Sequence, residues 1–131
     1  GLIMLDLDKF KKINDTYGHL YGDYILKEVG KIIKENVRTI DVVGRFGGEE
    51  FSVILVNTNV RDCIPLAKRI VEGINRKTFI FDGIATNLTI SAGMSGYPSM
   101  SKESKELIKM ADDAMYQTKK KGGNDVTIFQ S

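Results

Sequence analysis

The sequence predicts an α/β (α+β) domain. Two observations carry this: short apolar, β-branched runs of strand length, and between them stretches whose apolar residues recur at helical spacing. The two kinds of segment alternate along the chain, which favours a layered sheet-and-helix architecture over a bundle or a sandwich.

Taken in order, "LIMLDL" (2–7) is a compact apolar run and predicts a buried strand. "DKFKKINDTYG" (8–18) predicts a short helix ended by Gly18 in the left-handed conformation that glycine accepts without strain. Over 21–38, Ile25, Val29, Ile32, Ile33 and Val37 form one apolar stripe, with Lys and Glu opposite, so this is an amphipathic helix. "DVVGRF" (41–46) and "FSVILV" (51–56) predict two strands joined through "GGEE" (47–50) as a hairpin. Val60, Ile64, Ala67, Val71 and Ile74 mark another helix, with Pro65 in its first turn, where a missing N–H is tolerated. "TFIFDG" (78–83) and "NLTISAGMSGY" (87–97) predict two more strands. Leu107, Ala111, Ala114 or Met115, and Thr118 mark a last helix, and "VTIF" (126–129) a final strand. "KKKGG" (119–123) is the one charge run, and cations are favoured at a helix C-terminus.

No repeat, low-complexity tract or linker divides the 131 residues, which suit one domain. Hydrophobic residues make up 42% and charged residues 27%, and a net charge of +2 is too small to draw nucleic acid or a membrane surface by bulk attraction. The single Cys63 excludes an internal disulfide, fits a reducing, cytoplasmic compartment, and reads as a small buried apolar residue. No window approaches the ~20 apolar residues of a membrane span. The chain opens directly on strand-like "GLIMLDLD", so it is expected to be part of a larger protein, one that can carry a membrane anchor elsewhere.

The chemistry concentrates in two places. Asp6 and Asp8 end an apolar strand; Glu49 and Glu50 sit at the tip of a hairpin. Adjacent strands lie about 4.8 Å apart, so Asp6 and the glutamates converge if the first strand pairs with the hairpin. Clustered carboxylates repel unless a cation neutralises them. Oxygen ligands without thiol or imidazole suit Mg²⁺ or Mn²⁺, and Mg²⁺ characteristically shares its shell with substrate phosphates. A nucleoside triphosphate is the natural partner, and the bare backbone of Gly47 and Gly48 lets it approach closely. Each element alone has a plainer reading: "DLD" caps helices and "GGEE" makes turns.

"DLDKFKKINDTYGHLYGD" (6–23), "RTIDVVGRFGGEEF" (38–51), "LTISAG" (88–93) and "ADDAMYQTKKKGGN" (111–124) together resemble the GGDEF domain of diguanylate cyclases, in order and over nearly the whole chain. The resemblance implies a central, mostly antiparallel sheet flanked by helices, related to the palm of nucleotidyl cyclases and polymerases. The family's upstream helix and "TGLxNR" segment have no counterpart in the sequence. The implied reaction condenses two GTP into cyclic di-GMP and two pyrophosphates, one GTP per domain, so two copies meet as a homodimer. An attached sensor or receiver domain is the expected regulator.

The resemblance assigns metal binding to Asp6, the carbonyl of Leu7, Glu49 and Glu50, with Glu49 also the proton acceptor. It assigns phosphate contacts to Phe10 (through its backbone), Lys11 and Lys119, and guanine recognition to Asn14 and Asp23, with His19 beside them. Arg38 and Asp41 stand as "RxxD" in the family's inhibitory product site, joined by Arg69. Gly123 replaces the family's usual arginine, so one phosphate contact is expected to be missing.

Overall fold

The computed structural model describes residues 1–130. The elements run β1 (Leu2–Leu7), α1 (Phe10–Tyr17), α2 (His19–Asn36), β2 (Val42–Arg45), β3 (Glu50–Ile54), a 3₁₀ turn (Arg61–Cys63), α3 (Ile64–Arg76), β4 (Phe79–Phe81), β5 (Ile84–Thr86), β6 (Ile90–Ser95), α4 (Ser104–Lys120) and β7 (Val126–Ile128). Five strands form one sheet in the order β2-β3-β1-β6-β7, antiparallel except for the β6–β7 pair. This is the expected α+β architecture with a mostly antiparallel sheet.

Strand alternation separates the two faces of β1. Ile3, Leu5 and Leu7 are buried in the main core with Ile25, Val29 and Ile33 of α2 and Ala67, Ile70 and Ile74 of α3. Met4 points the other way and packs with Ala111 and Met115 of α4. Helices α2 and α3 therefore lie on one face and α4 on the other. Cys63 is 1% exposed, as its apolar reading requires, and Pro65 sits in the first turn of α3.

Three local features depart from expectation. Gly18 does not adopt the left-handed C-cap: at φ 91°, ψ 166° it is a corner from which α2 starts at once at His19, two residues before the expected start at 21. That backbone still requires glycine. The "TFIFDG" strand pairs not with the main sheet but with β5, which the sequence reading missed. The two strands form a separate hairpin turned by Asp82 (φ 53°) and Gly83 (φ 76°). Finally, the strand read over 87–97 is confined to Ile90–Ser95.

Close packing of α4 depends on Gly93, which pairs with Met4 of β1. A Cβ on Gly93 would stand 2.1 Å from both the Ala111 carbonyl oxygen and the Met115 nitrogen. Only a hydrogen fits between the β6 backbone and the helix.

The corner after α2 is closed by Asp41. Its carboxylate accepts hydrogen bonds from Nε and Nη2 of Arg38 (3.0 and 2.8 Å) and from the backbone N–H groups of Arg38 and Val56 (2.8 and 3.1 Å). Arg38 Nη2 also donates to Val56 O and Thr58 Oγ1. The Asp41 side chain has no solvent exposure. Bonding from Arg38 outweighs burial and holds its carboxyl down to about 2.

Gly93→Ala should destabilise the protein by on the order of 3 kcal/mol, since backbone rather than a flexible side chain meets the new methyl; chemical denaturation measures this, and an unchanged midpoint would refute the packing account. Asp41→Asn should cost about 2 kcal/mol near neutral pH. A carboxyl with a depressed folded pKa stabilises above its unfolded value and loses that contribution as pH falls through the folded one. The gap between wild type and Asp41→Asn should therefore close as pH drops from about 4 towards 2, read from melts across that range.

Candidate active site

Pairing of β1 between β3 and β6 brings the expected acids together. Asp6 lies directly opposite Glu50, and the backbone N–H of Leu7 donates to Glu49 O at 3.4 Å. Because Asp6 and Glu50 are register partners, both side chains face α4. Like charges opposed across strands are unfavourable, and the electrostatics record it. Burial, with Glu49 and Asp8 adding to it and Lys119 opposing, pushes the Asp6 carboxyl up to about 6. Glu50 is raised by burial and by the neighbouring Asp112 and Asp6. Glu49 is raised by burial and by Glu50, against Lys119.

Lys119, near the end of α4, supplies the counter-charge. Its ammonium lies 3.6 Å from Asp6 Oδ1, 3.0 Å from Asp8 Oδ1, 3.3 Å from Leu7 O and 3.5 Å from Asp6 O. Asp8 behaves unlike Asp6. Burial pushes its carboxyl up, but donors from Ser91, Thr89, Lys119 and the Asn124 backbone outweigh it, and the net shift is downward. Asp8 thus ties the ends of β1, β6 and α4 together through Thr89 Oγ1 and Ser91 Oγ (2.6 Å each), Lys119 and Asn124 N (3.0 Å each).

Gly123 is part of this clamp. At φ 75°, its absent Cβ would lie 2.6 Å from Asp8 Oδ2. The residue that replaces the family's arginine is pressed onto a carboxylate, so no side chain could start here without moving Asp8.

Among the described residues, no three acid, histidine or cysteine side chains close on one point as a ready-made metal cage. The donor set nevertheless suits a hard cation. The Lys119 ammonium already gathers carboxylate oxygens of Asp6 and Asp8 and the carbonyls of Asp6 and Leu7, and the remaining acids have raised affinity for a proton. These are the oxygen donors that magnesium or manganese takes.

On the other side of the hairpin a cavity of about 360 Å³ is lined by Phe10, Lys11, Asn14, His19, Asp23, Leu26, Arg45, Gly48 and Glu49. Seven of these were expected from the sequence. Gly47, Glu50, Asp6, Leu7 and Lys119 lie outside its lining. Two larger concavities, of about 670 and 700 Å³, hold none of the expected acids and are set apart by chemistry rather than size. Neither Gly47 nor Gly48 has the positive φ that would make the turn demand glycine, and a Cβ on Gly48 meets nothing within 4 Å. Gly48 thus faces open space above the hairpin, whereas a Cβ on Gly47 would touch the Glu50 side chain at 3.8 Å.

Sequence reasoning missed Arg45 and Leu26 in the cavity wall and the contribution of Asp112. Asp112 was visible within "ADDAMY". Arg45 carried no signal: its guanidinium donates to the carbonyls of Gly47 and Gly48, bracing the hairpin tip. Arg38 and Arg69 come together in a separate small cavity of about 260 Å³, with Asn36, Asp62 and Pro65. No helix among the described residues is long and apolar enough to cross a membrane.

Comparison with known proteins bears on the family and the fold. The family described as "Diguanylate cyclase, GGDEF domain" matches residues 1–125. The chain is 44% identical over 131 residues to diguanylate cyclase A of Treponema denticola, covering all of this chain and 35% of that protein. Among solved structures it is similar to the active GGEEF domain of a diguanylate cyclase from Vibrio cholerae (TM-score 0.91, 30% identity, 99% of this chain and 82% of that one). It is also similar to the GGDEF domain of DgcB from Caulobacter crescentus, solved in complex with c-di-GMP (TM-score 0.89, 27% identity, 97% and 75% covered). The chain spans about a third or less of the length of the curated relatives it matches. On the strength of the match over residues 1–125, the chain belongs to the GGDEF domain family.

Proposed function

We propose that this domain is a diguanylate cyclase, condensing two GTP into cyclic di-GMP with release of two pyrophosphates. The observation that carries the reading is that Asp6 and Glu50 are opposed across adjacent strands while Glu49, the residue before Glu50, lines a cavity walled by Asn14, Asp23, His19 and Lys11. Each domain holds one GTP, so catalysis takes a homodimer with two cavities face to face. In each half-reaction a ribose 3′-oxygen bonds to the α-phosphorus of the other nucleotide, the bond from that phosphorus to the β-phosphate bridging oxygen breaks, and pyrophosphate leaves.

The residues divide the work. Asn14 and Asp23 bind the base: a carboxylate accepts from guanine N1–H and N2–H₂, a donor pair that adenine lacks. Lys11, the Phe10 backbone at the start of α1 and Lys119 hold phosphate, with a helix N-terminus favouring anions. Glu49 lines the cavity and takes the proton from the attacking hydroxyl. Asp6, the Leu7 carbonyl, Glu49 and Glu50 would hold Mg²⁺ or Mn²⁺, which when bound neutralises charge on the phosphates. Lys119 leaves the acids for phosphate as the nucleotide enters. Positioning and charge neutralisation then do most of the chemistry.

Arg38 and Arg69 form the product site, where guanidinium forks suit phosphate and guanine. Arg38 serves two ends there, because its Nε and Nη2 are spent on Asp41 and the loop after β3. A longer polypeptide carrying a sensor or receiver domain, as the greater length of the relatives suggests, would govern dimerisation.

Incubating the protein with GTP and Mg²⁺ should yield cyclic di-GMP by mass spectrometry; binding without turnover would instead favour a nucleotide-sensing role. Glu49→Ala should lower the rate on the order of 10²–10³-fold, in the range for loss of one transition-state charge contact, and a rate within twofold of wild type would refute the assigned mechanism. Arg69→Ala should weaken cyclic di-GMP binding by about tenfold and relieve product inhibition with no loss of GTP affinity; unchanged inhibition would exclude this site. Arg38→Ala should also relieve inhibition, but with a lowered melting temperature, since it releases Asp41.

A further inference from the structure

Gly22 lies in the first turns of α2 and is buried. A Cβ on it would stand 1.9 Å from Asn14 Oδ1 and 3.1 Å from Phe10 Cζ. The Asn14 amide thus fills the volume that the first carbon of any other side chain would take. Oδ1 is buried there and has no hydrogen-bond partner. Buried amide oxygens are rarely left so, which means that packing, not a bond, decides where this amide sits.

The backbone on either side is fixed. Gly18 N–H donates to Asn14 O (2.8 Å) and Gly22 N–H donates to Gly18 O (3.2 Å), so the end of α1 and the start of α2 are laced together. Phe10, 7% exposed, closes the other flank. The same side chain lines the cavity, so its amide is held between Gly22 and the pocket. Asp23, the next residue after Gly22 and exposed, offers acceptor oxygens to the same cavity. An amide seated beside a carboxylate complements guanine, which pairs acceptors (O6, N3) with donors (N1–H, N2–H₂). Adenine carries an acceptor at N1 and no exocyclic group at C2, so it mismatches Asp23.

We propose that Gly22 is a specificity-determining positioning residue: its bare backbone leaves the volume in which the Asn14 amide sits, and so sets where that amide meets the base. The inference rests on reading the cavity as a guanine-nucleotide site. Glycine inside a helix is otherwise unfavourable relative to alanine, so a plain helical role predicts that Gly22→Ala is harmless. The positional role predicts the reverse. The new methyl meets the far end of a flexible side chain, so the amide moves and the helix stays.

The test is Gly22→Ala, with GTP and ATP binding measured by calorimetry beside thermal melts, in wild-type and Asn14→Ala backgrounds. The expected result is a GTP Kd raised at least tenfold, an ATP Kd changed less than twofold, and a retained helical spectrum. In the Asn14→Ala background, Gly22→Ala should change the GTP Kd less than twofold, because the residue acts through Asn14. Undiminished preference for GTP in Gly22→Ala would overturn the assignment, as would an equal loss in both backgrounds. If Gly22→Ala unfolds, the double variant should recover the wild-type melt, and failure to recover it also overturns the proposal. A wild-type protein that binds GTP and ATP equally would overturn the guanine-site reading itself, and this inference with it.

Discussion

The arrangement depends on one electrostatic problem, two carboxylates opposed across adjacent central strands. Asp6 and Glu50 are register partners, Glu49 adjoins them, and Asp112 leans in from α4. Sheet pairing forces this proximity and packing desolvates it, so positive charge must be delivered to the same point. Lys119 delivers it, and its reach is set far from its own position. Gly93 lets α4 rest on β6 with backbone against backbone, and Asp8 anchors the loop after the helix. The two aspartates of "DLD" therefore part company. Asp8 is saturated with donors and holds the frame, whereas Asp6 is left short of them and its carboxyl is raised by burial.

The same alternation gives the two glutamates of "GGEE" different surroundings. Glu50 enters β3 opposite Asp6, on the face that α4 covers; Glu49, one residue earlier, lines the cavity shared with α1 and α2. A one-residue step along a strand is a change of face, so a single hairpin can serve a charge cluster on one side and a pocket on the other.

Much of this was legible in the sequence because the signals were local. The strands, the amphipathic helices and the acids at the ends of β1 and the hairpin follow from runs and periods, and seven of the nine cavity residues stand at positions named from the glycine-rich hairpin or from the family resemblance. What escaped reading depends on tertiary placement. Nothing in "GIATN" marks β5, since three short residues pair only because the Asp82–Gly83 turn folds them back. Arg45 carries no motif because its partners are carbonyls. Gly123 looked like the loss of a side chain, and its pressure on Asp8 is visible only once α4 and β1 are set side by side. Asp41 entered the sequence reading only as the partner of Arg38 in "RxxD", yet its side chain is buried and the corner after α2 is built around it.

The β4–β5 hairpin has no backbone ladder to the main sheet; much of its attachment runs through Tyr21. The phenol of Tyr21 reaches Phe79 O, Ile84 O and Thr86 Oγ1 at 3.2, 3.0 and 2.9 Å, and Phe81 stacks on Tyr24 with ring centroids 5.0 Å apart. A two-stranded unit is marginal by itself, and this one is held by its side chains, with Phe79 fully buried in the main core, so it is the part of the fold least secured by backbone pairing. Amide protons of the hairpin would then exchange with solvent well before those of β1. Because its latch is carried on α2, two residues from Asp23, that exchange reports on the wall of the pocket from outside it.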